Sequence, residues 1–371
     1  MLNILRDKKF LSVIIFALLI RLLIIILFLG HSDLDNIAGF IENLNNQQDP
    51  LGMPYPIFSH IFLYLPDFLK LINIDYFKAL RVFSILSEII LIYSIYKLNI
   101  FNLKYLIYFF AFNPFLILYS GLHGQIDLWA ISFVILAISE FGKKEIAKCS
   151  FLFALACLIK PMVVVSIFFF LTKNLKNNFK FLSVFIFTCV IPYILTFNFY
   201  IILKNLFIIF SYMILSSKIS THITWLFTEL TNPFSTVLII LSIFLLKKYF
   251  KETIHQFILI LPIVILLKGG LSSQYFAWLI PILIFNFKIG IISSFIFSLN
   301  YFLSYFYYYI EEGNFFNINA FALNNNLFLN NVVFFPIDHA TFDKIYLILS
   351  NISIFLILIN IAYFIKGKRN V

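Results

Sequence analysis

Residues 148–171 read KCSFLFALACLIKPMVVVSIFFFL, and how this run is threaded decides the fold. As one apolar stretch it is long enough to cross a bilayer, which takes about 20 residues of helix. A single crossing would put its two flanks on opposite sides. Yet the flank before it carries Lys143, Lys144 and Lys148, and the flank after it carries Lys173, Lys176 and Lys180. Lys-rich loops stay on the cytoplasmic side, so both flanks belong to one side and the chain has to turn back. Lys160-Pro161 is the place for that turn, because proline does not continue a helix. Two short arms are expected, with Lys160 near the outer face.

The rest of the chain follows the same logic. It is 62% hydrophobic and 12% charged, with a mean hydropathy of +0.99, against roughly a quarter charged in a soluble domain. The 371 residues therefore read as an all-α polytopic membrane protein. The first apolar run, residues 10–29, is long enough to be a span rather than a cleaved signal. The net charge of +10 comes from Lys residues in short clusters between apolar runs. That is a topology signal and not a nucleic-acid surface. Cys149, Cys157 and Cys189 lie in or beside apolar runs and imply no disulfide framework.

Residues 57–72, led by Pro56 and broken by Pro66, Asp67 and Lys70, read as a helix along the outer surface. If they crossed, the later Lys clusters would fall outside. With that choice the inner segments are residues 97–104, 142–148, 173–180 and 247–252, the turn at Lys288 and both termini. Together these hold 18 of the 27 Lys and Arg residues. The expected architecture is one domain over residues 1–371, with about twelve spans and both termini in the cytoplasm. Its main outer loop is residues 31–79, and residues 204–232 and 311–342 form further outer loops.

Residues 31–56 begin the main outer loop and carry Asp33, Asp35, Glu42 and Asp49 but no Lys or Arg. Asp33 and Asp35 are either solvated loop carboxylates or a base or metal ligand poised over the membrane. Residues 121–129, GLHGQIDLW, open a later span on the outer side. On a helix His123 and Asp127 would share a face at i and i+4, with Gln125 pointing elsewhere. Bland alternatives are a helix end at the interface for this segment, with Trp129 in the aromatic belt, and a snorkelling side chain for Lys160. Arg81 falls near the outer end of the second span. Arg21 lies inside the first span and needs a partner that the sequence does not name. Lys268 and residues 274–278, QYFAW, bracket another outer turn, where Tyr and Trp are interface residues by default. Polar groups at membrane depth are costly. Carboxylates suit proton abstraction, and Lys and Arg suit phosphate.

In these segments the chain resembles the GT-C class of integral-membrane glycosyltransferases, nearest to prokaryotic relatives of the GPI-anchor mannosyltransferases and to glycosyltransferase family 87. Ser32-Asp33 with Asp35 falls where the class has its acidic first-loop motif. Pro54-Tyr55-Pro56 leads into the surface helix. Gly124-Gln125-Ile126-Asp127 is similar to a G-Q-x-D element, and Lys160-Pro161 to a K-P element. Tyr275 to Pro281 resembles a late Y-x-x-W-x-x-P stretch. The resemblance implies inverting transfer of a hexose, mannose in the nearest relatives, from a polyprenyl-phosphate sugar to a hydroxyl of a glycan or glycolipid. The reaction would take place at the outer face of a prokaryotic cytoplasmic membrane. Asp33 would be the general base, with Asp35 as the alternative. Lys160, Arg81 and His123 would hold the donor phosphate. Gln125, Asp127, Gln274, Tyr275 and Trp278 would contact sugar or acceptor. No cofactor is required, and two nearby Asp residues permit a divalent cation. One departure is the acidic loop, where Ile37 or Phe40 stands in for the aromatic expected soon after Asp33.

Two rival readings use the same features. A flippase for lipid-linked sugars would spread polar residues through the full depth of its spans. Another lipid-linked polysaccharide transferase would rely on a large outer loop rich in Arg or His, for which residues 204–232 offer only Lys204, Lys218 and His222.

Overall fold

A computed structural model describes residues 8–27, 76–196 except Gln125, 232–265, 267, 273–311 and 339–369. Among them every regular element is helical. In chain order these are α1 (Lys8–Leu27), α2 (Tyr76–Lys97), α3 (Leu103–Ala111), α4 (Pro114–Leu118), α5 (Asp127–Gly142), α6 (Ile146–Ile159), α7 (Ile167–Phe170), α8 (Leu175–Thr196), α9 (Asn232–Tyr249), α10 (Thr253–Val264), α11 (Ile280–Leu283), α12 (Phe287–Glu311) and α13 (His339–Arg369). A π-turn occupies Tyr119–His123, and 3-10 turns occupy Pro161–Ser166 and Ser273–Leu279.

Among the described residues two stretches, Lys78–Lys97 and Lys344–Lys366, are long and apolar enough to cross a membrane. A third results if Leu103–Ala111 and Pro114–His123, bent by 62°, count as one broken span. Five further apolar stretches, Leu11–Ile26, Ile146–Ile159, Pro161–Phe170, Thr253–Val264 and Phe287–Tyr301, run to only 10–17 residues, so the described residues do not reach the dozen crossings read from the sequence. The interruptions have local causes. Asn102 and Asn113 cap α3 and α4, accepting from the backbone N–H of Tyr105 at 2.8 Å and Leu116 at 3.0 Å. Pro114 follows at the first helical position, where its missing N–H costs nothing. Phe112 thus ends α3 and Asn113 starts the next helix.

The run at residues 148–171 breaks at Lys160, whose backbone is extended (φ −138°, ψ 106°) as the residue before a proline prefers. The chain then doubles back. Phe170, ten residues beyond the break, packs its ring 4.9 Å from Phe153 and 5.5 Å from Phe141. Phe181 of α8 stacks on Phe170 from the next element. Lys247 closes the hairpin from α9, donating to the carbonyls of Phe168 at 2.6 Å and Leu171 at 3.0 Å. These are end carbonyls without partners inside their own helix.

Side-chain links gather the Lys-bearing turns at one end of the molecule. Glu140 pairs with Lys143 at 2.8 Å and Lys97 at 3.8 Å, joining the ends of α2 and α5. Phe141 meets Phe170, and Lys247 meets the end of α7. Phe101 packs on Phe285, and Phe285 on Phe364. The Tyr105 hydroxyl donates to the Ile284 carbonyl. The turns near residues 97–104, 142–148, 173–180, 247–252 and 288 therefore adjoin one another and the end of α13.

The core runs through α5, α10 and the segment from Phe276 to Ile284, where nearly every side chain is buried. Phe276 stacks on Phe297 at 4.2 Å. At Gly290 a Cβ would lie 2.1 Å from the Leu283 carbonyl oxygen, so α12 can approach α11 only without a side chain there. Amide and hydroxyl pairs tie α12 to α13, Asn300 to Ser350 and Asn360 to Ser293, and to the start of α4, Asn113 to Ser294. Outward faces are apolar. Phe179 and Phe187 of α8, Phe244 of α9 and Phe355 of α13 are all exposed.

Candidate functional site

The site begins at an irregular turn. The π-turn Tyr119–His123 ends at Gly124, whose φ of 64° lies in the left-handed region. Its N–H bonds the Tyr119 carbonyl at 3.1 Å. A side chain at that φ would be strained, which is why glycine stands there. The turn separates His123 from Asp127. His123 belongs to the turn and Asp127 is the first residue of α5, so the two do not share a helical face as their spacing suggests. The His123 ring lies instead between Tyr119 and Tyr301, with centroids at 5.8 Å and 5.6 Å.

What reaches Asp127 is Tyr119. Its hydroxyl donates to Oδ2 at 3.1 Å. The Trp278 indole N–H donates to Oδ1 at 2.9 Å. Lys160 Nζ lies 3.2 Å from the same Oδ1. Asp127 is 1% exposed, Lys160 8% and Trp278 2%. Four elements converge here: the π-turn, the start of α5, the break after α6 and the 3-10 turn before α11. The charges suit their positions, with the carboxylate at a helix N-terminus and the ammonium at a helix C-terminus. Burying either charge alone would cost several kcal/mol, about 3–5 when one partner of such a pair is removed. Here the pair is completed by two neutral donors.

Arg81 lies against the same turn. It is 1% exposed and donates from Nη1 to the Gly121 carbonyl at 3.3 Å. Trp129 is buried, with its ring 4.8 Å from that of Phe83, so it is a core residue and not part of an interfacial belt. Tyr275 is half-buried beside Phe276. The structure thus brings Lys160, Asp127 and Trp278 into contact, and sets Arg81 of α2 against the turn that holds both Tyr119 and His123. Asp33, Asp35, Gln125, Lys268 and the side chain of Gln274 lie outside the described residues. So do residues 57–72 and nearly all of the outer loops 204–232 and 311–342. Among the described residues, no three His, Cys, Asp or Glu side chains gather as a metal site.

Two participants escape sequence reading. Tyr119 sits in an apolar run and gains its role only through the π-turn. Glu88 is the partner Arg21 requires. Arg21 donates to both Glu88 carboxylate oxygens, at 3.2 Å and 2.9 Å, and to the carbonyls of Phe110 at 2.8 Å and Ala17 at 3.0 Å. A signal for this existed, since Glu88 is the lone acid in the second apolar run. The pair borders an apolar groove between α1, α2 and α3, walled by Ile14, Leu18, Ile89 and Ile107. This groove is separate from the Asp127 cluster.

Compared with known proteins, the chain matches no family model, no curated protein and no solved structure.

Proposed function

We propose that the chain is a multi-pass membrane glycosyltransferase of GT-C type. It moves a hexose, mannose in the first instance, from a polyprenyl-phosphate donor to the hydroxyl of a glycan or glycolipid. On this reading about twelve crossings thread the bilayer, both termini are cytoplasmic and the site faces outward. The acceptor oxygen attacks the anomeric carbon as the bond from that carbon to the phosphate oxygen breaks. The acceptor proton passes to Asp33, with Asp35 as the alternative base, and polyprenyl phosphate leaves. Lys160, Arg81 and His123 offset the charge on the leaving phosphate. Gln125, Gln274 and Tyr275 contact sugar or acceptor.

One observation carries this reading. Asp127, Lys160 and Trp278, from three segments up to 151 positions apart, meet in one buried contact. These are the segments that resemble the G-Q-x-D, K-P and Y-x-x-W-x-x-P elements. The gathering of the Lys-bearing turns at a common end supports the proposed orientation. The test is purified protein incubated with polyprenyl-phosphate mannose, polyprenyl-phosphate glucose and a panel of acceptors. Release of polyprenyl phosphate with transfer of the sugar is the expected result. No release with any donor and acceptor pair would refute the assignment.

A second reading, a flippase for lipid-linked sugars, draws on the Arg21–Glu88 pair and the Asn and Ser contacts between α12 and α13. These put polar groups inside the helices and not only at their ends. It predicts movement of an intact lipid-linked sugar across proteoliposomes with no cleavage of the phosphate ester.

A further inference from the structure

Asp127 is where the geometry departs from a sugar-binding role. A carboxylate that receives a sugar hydroxyl needs an open oxygen and some access. Asp127 is 1% exposed, and both its oxygens already accept from protein donors: Tyr119 on Oδ2, Trp278 and Lys160 on Oδ1. Two of the donors are rigid. The Tyr119 and Trp278 rings are fully or almost fully buried, and neither group carries charge in this role. The third, Lys160, is a point charge on a flexible four-carbon stem. It sits at a break in the chain where the backbone is extended rather than helical.

We infer that Tyr119 and Trp278 are positioning residues that fix Asp127 as the resident counter-ion of Lys160, and that a phosphate ester binds by drawing the Lys160 ammonium away from it. The inference rests on the phosphate role proposed for Lys160. Before binding, the ion pair keeps both buried charges compensated. When phosphate arrives, Lys160 turns to it and Asp127 remains held by two hydrogen bonds. Without those bonds the same movement would leave a bare carboxylate in a dry site, and such a group carries a full desolvation cost. The carboxylate is therefore a competitor of the ligand, and Tyr119 and Trp278 lower the cost of that competition. The ligand class is a phosphate ester or free phosphate. A lipid phosphate is distinguished from the free ion by comparing the two as probes.

The experiment measures binding of a prenyl monophosphate in micelles, and separately of inorganic phosphate, to the purified full chain and five variants. Asp127→Asn should bind prenyl phosphate more tightly than the parent, by about tenfold, because the competitor is gone. Tyr119→Phe, which removes one oxygen, should bind about three- to tenfold more weakly. In the double variant Tyr119→Phe/Asp127→Asn, the tyrosine change should have no further effect, since its action runs through Asp127. A merely structural Tyr119 would weaken binding equally in both backgrounds, and that result overturns the inference. Weaker binding by Asp127→Asn also overturns it, and returns Asp127 to direct ligand contact. Lys160→Gln tests the reading beneath. If it binds prenyl phosphate as well as the parent does, both the phosphate site and the inference fall. If Asp127→Asn folds poorly by thermal unfolding in detergent, Tyr119→Phe against Trp278→Phe decides. Both should weaken binding, and an unchanged affinity in both refutes the positioning role. Equal affinities for inorganic and prenyl phosphate would assign the pocket to the free ion, and preference for the prenyl ester to a lipid.

Discussion

Lys160 and Lys143 are both lysines at helix ends, but their surroundings differ. Lys160 is buried against Asp127, while Lys143 has a half-exposed side chain and pairs with Glu140 at 2.8 Å. Lys160→Ala should therefore weaken donor use roughly ten- to a hundredfold, the value of a charge-assisted bond, while Lys143→Ala leaves it near normal. The donor KM of the two variants checks this, and equal effects would reduce Lys160 to a structural ion-pair partner of Asp127. Asp33→Asn should lower turnover by about 10²–10⁴-fold, the usual contribution of a positioned base, with donor binding retained. If Asp35→Asn is the severe change and Asp33→Asn the mild one, the base is Asp35. Arg21 and Glu88 test stability rather than chemistry. Glu88→Gln leaves a buried guanidinium with less compensation and should cost about 3–5 kcal/mol, while Arg21→Met/Glu88→Met together should recover most of that. Thermal unfolding in detergent gives the comparison. A double variant no better than Glu88→Gln would mean the pair contributes more than mutual neutralisation.

At the scale of elements, the breaks matter more than the helices. The π-turn at Tyr119–His123 exists because Gly124 accepts a left-handed backbone, and it aims Tyr119 at Asp127. π-turns are rare and concentrate at functional sites. A second glycine acts through space. Gly290→Ala would drive a methyl into the Leu283 carbonyl, whereas a methyl at Gly142 meets nothing within 4 Å. Overpacking against backbone costs about 1–3 kcal/mol, and a helical Gly→Ala change with room gains about 0.5–1. Gly290→Ala should lower the unfolding temperature while Gly142→Ala leaves it unchanged or raises it. Tolerance of Gly290→Ala would show that the turn between α11 and α12 can shift to make room.

For the whole molecule, orientation is the testable quantity. The Lys-bearing turns lie together at one end, so a single side of the membrane should receive all of them. In a background with Cys149, Cys157 and Cys189 replaced by Ala, single cysteines at positions 45 and 317 should react with an impermeant thiol reagent from outside intact cells. Cysteines at 144, 176 and 248 should react only after permeabilisation. Strong outside labelling at 176 would remove Lys160 from the outer face and with it the phosphate role.

Local features were legible in the sequence, because their causes are local. The reversal at Lys160-Pro161 follows from a proline and two Lys clusters within forty positions. The apolar, all-helical character follows from composition. The grouping of Asp127, Lys160 and Trp278 was legible only as a resemblance among short motifs. What the tertiary structure alone decided is which groups neutralise one another. Spacing along a regular helix put His123 beside Asp127, but one left-handed glycine breaks that register and substitutes Tyr119. Arg21 plainly needed a partner and Glu88 is the lone acid in the second apolar run, yet only the packing of α1 on α2 brings the two together across 67 positions. Buried charges choose partners by distance in space, and distance in space is set by how the broken helices pack, so pairing could not be read from order along the chain.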